Sequence, residues 1–173
     1  DAVLGADIRA GTFLLTWLSP VRFSVVVLGR WLAGWLVASA VLVPGFVAAA
    51  LVAGVPGAVG WLVLAVVAGT AAYIALFVLL GTVLRRAVLW ALTVVLLGEG
   101  ILATNVDALG QVSPMWQAQQ AFAGLWTEGG DELLRVGLPE GWSSVLHLAA
   151  VAAACLGVAS WRMRHLRPAA GDD

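Results

Sequence analysis

The sequence contains no lysine, and this absence excludes nucleotide binding through a P-loop. Such a loop needs a lysine that reaches the phosphates of the nucleotide, so it cannot lie in this chain. Any ATP-driven activity would therefore require another chain, or a part missing from this sequence, to bind the ATP. Cysteine is almost as scarce: Cys155 stands alone, which excludes a disulfide within the chain.

Charge is also scarce, and its scarcity excludes an ordinary soluble domain. Charged residues make up 11% of the chain, against about 25% in soluble proteins. Hydrophobic residues make up 62%, and the mean hydropathy is +0.99. No basic patch of the kind that binds nucleic acid is present. The composition predicts an all-α protein, a polytopic bundle of transmembrane helices in a lipid bilayer.

Four apolar runs are long enough to be membrane spans. A hydrocarbon core of ~30 Å needs about 20 helical residues at ~1.5 Å each. Gly54 to Gly57 form an uncharged turn signal between the first two runs, which predicts a tight hairpin. Arg85 and Arg86 favour a second turn, since burying both at the bilayer centre would be costly. The predicted spans are residues 31–52, 59–80, 87–104 and 142–161.

The arginines indicate which ends of the spans are cytoplasmic. Positive residues accumulate on the cytoplasmic side of membrane proteins. The predicted spans put three groups of arginines on one side of the membrane, and these groups hold eight of the nine. They are Arg9, Arg22 and Arg30; Arg85 and Arg86; and Arg162, Arg164 and Arg167. We therefore expect a single multi-pass domain in the cell membrane over residues 1–173, with residues 1–30 and the tail 162–173 in the cytoplasm. Residues 105–141, which include Arg135, are expected outside.

Two further features bear on this topology. The tryptophans agree with the predicted span ends, because indole rings prefer the headgroup level. Trp31, Trp35, Trp90 and Trp161 are predicted near cytoplasmic ends, and Trp61 and Trp142 near outer ends. The chain begins at Asp1 with no signal-peptide pattern, so we also expect an N-terminally truncated fragment.

The segment from Asp7 to Arg22 reads as a short cytoplasmic amphipathic helix. Its apolar cluster, Phe13 to Leu18, is too short to cross a bilayer, and Pro20 disfavours further helix. Two interpretations stay open: an interfacial helix lying on the membrane, or a docking element for a cytoplasmic partner.

The outer segment is predicted to contain a helix that begins at Ser113 and Pro114. Serine is a favoured N-cap, and proline is favoured at the first helical position. Met115, Gln119, Phe122 and Trp126 would share one face of this helix. Gln117 and Gln120 lie on the opposite side, so we expect the helix to rest in the outer interface or partly to re-enter the membrane.

Few residues suggest catalysis or metal binding. Glu99 is the only ionisable residue well inside a predicted span. Two explanations stay open: a structural hydrogen bond to the outer helix, or a role in a substrate or proton path. His147 and His165 lack partners at metal-ligand spacing. No nucleophile motif surrounds the serines. We expect no catalytic residue, no metal and no cofactor. A lipid-modifying membrane enzyme would need a cluster of carboxylates, histidines or serines at the membrane interface, and the sequence has none. A structural membrane scaffold requires no recognisable motif, so that alternative stays open.

Several short motifs, in order, resemble the permease subunits of type-2 ABC exporters. The family has a coupling-helix pattern with an acidic residue, Gly-Thr, leucine and proline, followed by Leu-Gly-Lys/Arg. A glutamate-containing segment and outer re-entrant helices preceded by Ser-Pro come later. The matching positions here are Asp7, Gly11-Thr12, Leu15, Pro20-Val21, Leu28-Gly29-Arg30, Gly98-Glu99-Gly100 and Ser113-Pro114.

The resemblance implies a transporter subunit rather than an enzyme. Such permeases have six spans, so the four predicted here would correspond to the third to sixth. The chain would pair with a second permease, a copy or a paralogue, and with cytoplasmic ABC ATPase subunits that bind the ATP. Residues implied to couple to the ATPase are Asp7, Arg9, Gly11, Thr12, Phe13, Leu14, Leu18, Pro20 and Arg22. The outer helix would contribute Ser113, Pro114, Trp116 and Phe122, and Glu99 the intramembrane polar group.

Overall fold

The computed structural model describes residues 23–84, 113–135 and 137–165, with single positions at 89, 91, 93 and 95. Over these residues the chain is helical or connects helices, and no strand occurs among them, as the all-α prediction requires. The predicted coupling segment, the predicted span at 87–104 and Glu99 lie outside the described residues, apart from those four positions.

Four α-helices and two short 3-10 helices make up the described part. The α-helices are α1 (Phe23–Val52), α2 (Val59–Val83), α3 (Pro114–Leu125) and α4 (Trp142–His165). The 3-10 helices are Pro56–Ala58 and Asp131–Leu133. Three helices, α1, α2 and α4, are long and apolar enough to cross a membrane.

Helix α1 is longer than the span predicted from the sequence. It begins at Phe23 rather than at Trp31 and continues through Pro44 to Val52. Residues 23–30 contain no proline, so the helix is not interrupted before the predicted start at Trp31. The first residues of this helix therefore extend into the segment that was expected to be cytoplasmic.

A tight turn joins α1 to α2, as the Gly-Val-Pro-Gly sequence predicts. Gly54 has a φ of 74°, a left-handed conformation that favours glycine. The Val55 amide donates to the Ala50 carbonyl at 3.1 Å, and Pro56 starts the 3-10 helix that leads into α2. The two helices therefore form an antiparallel hairpin, whose turn we call the hairpin end of the bundle.

Helix α2 lies at the centre and contacts α1, α3 and α4. At the end opposite the turn, Val27 of α1, Val78 of α2, and Ala159 and Met163 of α4 form a buried cluster. Arg162 adds a polar contact there, because its Nε donates to the Thr82 carbonyl of α2 at 3.2 Å. We call this the arginine end of the bundle.

Two tryptophans of α1, Trp31 beside the arginine-end cluster and Trp35 one turn farther along, bond to the middle of α2. The indole Nε1 of Trp31 donates to the Ala71 carbonyl, and that of Trp35 to the Val67 carbonyl, each at 3.0 Å. Ala71 is the central residue of α2. An indole that bonds another helix no longer needs water at the headgroups. Trp61, Trp142 and Trp161 are exposed near helix ends, as predicted.

Candidate functional site

Helix α3 begins where the sequence predicts. Ser113 is its N-cap, with a side-chain oxygen that accepts from the Trp116 amide at 3.4 Å, and Pro114 occupies the first turn. The helix has 12 residues, a length of about 18 Å, which is too short to cross a hydrocarbon core of ~30 Å.

Helix α3 runs antiparallel to α2, against the half of α2 nearest the hairpin end. Ala118 faces Gly69, so closely that a Cβ on the glycine would come within 2.9 Å of the alanine Cβ. Farther along, Glu128 lies beside Gly57 in the hairpin turn. The N-terminus of α3 is therefore level with the middle of α2, and its C-terminus is level with the turn.

The polar and apolar faces of α3 are reversed relative to those of a helix that packs its apolar face on a protein core. Gln117 and Gln120 are 1% and 0% exposed, whereas Met115 is 52% exposed. The polar face points into the bundle, and part of the apolar face points away from it. This arrangement suits surroundings of hydrocarbon, in which polar groups must be satisfied within the protein.

Gln120 holds the loop that follows α3. Its Oε1 accepts from the Arg135 amide and its Nε2 donates to the Leu133 carbonyl, each at 3.2 Å. Its backbone carbonyl accepts from the Gly141 amide at 3.1 Å. One buried side chain therefore fixes the chain segment that leads into α4.

Arg135, the one arginine outside the three groups, lies in the same loop. Its guanidinium carbon lies 3.6 Å from the centre of the Trp116 ring, a cation–π contact. The predicted outer-helix residue Trp116 is therefore a buried platform for this cation. No spacing pattern predicted this pair, because it joins a helix to a distant loop position.

Glycines allow the helices and this loop to approach closely. A Cβ at Gly124 would overlap the backbone of Gly141, and one at Gly130 would overlap the Ala123 carbonyl. Gly141 has a φ of 55°, and its position immediately precedes α4. The start of α4 is thereby packed against the end of α3.

An apolar groove of about 450 Å³ lies between α1, α2 and α3. Phe122, another predicted outer-helix residue, lines it and stacks on Trp126 with 5.4 Å between ring centres. The groove follows α2 from Leu62 to Tyr73, about 16 Å. Its lining residues are Leu42 and Phe46 of α1; Leu62, Ala65, Val66, Gly69, Thr70 and Tyr73 of α2; and Met115, Ala118, Gln119 and Phe122 of α3.

The described residues bring together Ser113, Pro114, Trp116 and Phe122 in one helix. The implied coupling residues, Asp7 to Arg22, and Glu99 lie outside the described residues. Within the described part, no group of three or more histidine, cysteine, aspartate or glutamate side chains is placed to hold a metal ion.

Comparison of the chain with protein-family models, with curated proteins and with solved structures gave no match.

Proposed function

We propose that the chain is a membrane-spanning permease subunit of an ATP-driven type-2 ABC exporter. The observation that carries the proposal is the half-length helix α3, which begins at Ser113 and Pro114 and lies against the hairpin half of α2. The resemblance of the sequence to such permeases implies an outer helix of this kind, at this place in the chain.

Helix α3 would then be a re-entrant helix. If α2 crosses the bilayer, the start of α3 lies near mid-membrane and its end lies near the outer surface. The inward Gln120 supports this reading, because its side-chain amide satisfies backbone groups of its own chain rather than meeting lipid.

The arginine end of the bundle would face the cytoplasm. Val27 near the start of α1, Val78 near the end of α2 and Met163 near the end of α4 meet there, so Arg30 and Arg162 belong to the same end. Positive-inside orientation then places residues 1–22 and the tail on the side where an ATPase subunit binds.

Helix α1 supports the expectation of a second permease. Most of its large apolar side chains, such as Leu36, Val37 and Val41, are exposed in the described structure. In a membrane such a surface contacts lipid or another helix, and close helix packing is the main force that associates spans.

Affinity purification in mild detergent tests the proposal. We expect a tagged chain from its native membrane to co-purify, in near-stoichiometric amount, with a protein that carries a P-loop, and the complex to hydrolyse ATP. A tagged unrelated multi-pass protein from the same membrane controls for carry-over. Recovery of the folded chain with no P-loop protein under several detergents would contradict the proposal and favour a scaffold.

A further inference from the structure

We propose that the groove between α1, α2 and α3 binds the hydrocarbon part of a cationic amphiphile, with the positive group beside Glu128. The inference concerns binding alone. Only the further step, that such a ligand is the exported substrate, rests on the proposed function.

The shape of the groove suits a single extended chain. It is about 16 Å long, and its volume of about 450 Å³ is in the range of small-molecule sites. Helices form its walls on three sides, and the close Gly69–Ala118 approach fixes α3 against α2. The spacing of α2 and α3 on this side of the groove is therefore set by close backbone approach.

Apolar side chains line most of the groove, including its hairpin end, and aromatic rings and a carboxylate lie beside that end. Phe46, Leu62 and Val66 line it with hydrocarbon, which favours an apolar chain. At the hairpin end Phe122 stacks on Trp126, and aromatic faces attract cations. An amphiphile would therefore lie with its chain inward and its polar group at the hairpin end.

The negative charge at the hairpin end of the groove, its mouth, favours a positively charged head group. The Glu128 carboxylate oxygen lies beside Gly57, 3.4 Å from where a Cβ on that glycine would be. Gly57 precedes Leu62 by little more than one helical turn, about 7 Å. Glu132 and Glu140 are exposed in the same loop, and Arg135 rests on the Trp116 ring. A cation at the mouth would be attracted, and an anion would be repelled.

Photolabelling in lipid nanodiscs tests the inference. Three probes share a dodecyl chain with a diazirine near its end and differ in the head group: trimethylammonium, carboxylate or maltoside. Mass spectrometry locates the labelled residues. We expect the trimethylammonium probe to label groove residues about threefold more than the carboxylate probe, as exposed charge pairs of modest energy allow.

Matched variants separate the groove from general lipid contact. Val66→Trp fills the groove and is expected to remove groove labelling by all three probes. Val158→Trp, on an exposed part of α4, leaves it unchanged. Glu128→Gln is expected to abolish the preference for the trimethylammonium probe, while Glu132→Gln makes the same charge change and preserves most of it.

Three outcomes would overturn the proposal. Equal labelling by all probes, insensitive to Val66→Trp, would indicate ordinary contact with lipid. Groove labelling without a preference for the cation would exclude the role of Glu128. Absence of groove labelling by every probe would indicate that another part of the chain or a second copy covers the groove. None of these outcomes involves an ATPase, so each leaves the permease proposal to be tested separately.

Discussion

The indole Nε1 of Trp31 donates a 3.0 Å hydrogen bond to the carbonyl oxygen of Ala71, the central residue of α2. One turn away, Trp35 repeats the contact with Val67, and the two indole rings stack in parallel with centres 5.6 Å apart. A carbonyl oxygen has two lone pairs, so each can accept an indole proton while keeping its bond within α2. The pair ties the hairpin together well away from its turn.

Removing the indole donor should weaken the hairpin. Trp31→Phe keeps an aromatic ring but loses the N–H, and hydrogen bonds between spans contribute about 0.6 kcal/mol on average. Some lost packing adds to this, so we expect about 1 kcal/mol of destabilisation in a denaturing-detergent titration. Trp142→Phe, at an exposed ring, is the matched control. Equal midpoints for the two variants would contradict the role of the Trp31 bond.

Adding one methyl group at Gly69 should loosen the packing of α3 on α2. The new Cβ would lie 2.9 Å from that of Ala118, and overpacking of this kind costs about 1 to 3 kcal/mol. Gly60→Ala, in the same helix with open space around it, should be neutral or stabilising.

A double mutant tests whether the Gly69 effect comes from this one contact. In an Ala118→Gly background, Gly69→Ala should cost much less than it does alone, because the opposing methyl group is gone. Detergent unfolding of all four proteins measures this difference. An undiminished cost would show that the strain lies elsewhere in the helix packing.

Loss of the Gln120 side-chain amide should free the loop before α4. Gln120→Leu leaves the Arg135 amide and the Leu133 carbonyl without this partner, and an unsatisfied buried group costs about 1 to 3 kcal/mol. We expect the Arg135 amide to exchange its hydrogen about tenfold faster, since local opening follows local stability. Gln119→Leu, a change on the groove side of α3, serves as the control, and equal exchange in both variants would exclude the anchoring role.

Arg162 should stabilise the arginine end of the bundle more than Arg164 does. Arg162 donates to a carbonyl at the C-terminal turn of α2, where a cation also meets the negative end of the helix dipole. Arg162→Gln should cost about 0.5 to 1 kcal/mol, measured by detergent unfolding at low ionic strength. Arg164 is exposed, so Arg164→Gln should have a smaller effect. The reverse order would contradict the assignment.

Local sequence signals predicted the elements that depend on local chemistry. The hairpin turn at Gly54 to Gly57 and the start of α3 at Ser113 and Pro114 are confirmed, because turn glycines and N-caps act on their nearest backbone neighbours. Three of the four predicted spans coincide with helices long and apolar enough to cross a membrane, and the fourth, at 87–104, lies almost entirely outside the described residues. The first helix begins earlier than predicted, because no proline lies between Phe23 and Trp31.

Contacts between distant positions were not predictable from the sequence. The bond from Trp31 to a carbonyl of α2 was not predicted, because an indole near a predicted span end usually bonds water or headgroups. The inward face of Gln120 depends on a loop residue fifteen positions later. The groove requires three helices at once, so only its α3 side, with Met115, Gln119 and Phe122, was predicted as one face. The coupling role of Arg9 and Leu14 stays a prediction.

The most direct test of the permease account is ATP hydrolysis by the co-purified ATPase in nanodiscs, with and without the intact coupling segment. If the chain couples to an ATPase, the wild-type chain should stimulate hydrolysis, because contacts that differ between two states shift the equilibrium between them. Arg9→Glu combined with Leu14→Asp should abolish the stimulation while the chain still inserts into the membrane. Unchanged stimulation by this variant, at equal amounts of inserted chain, would contradict the account.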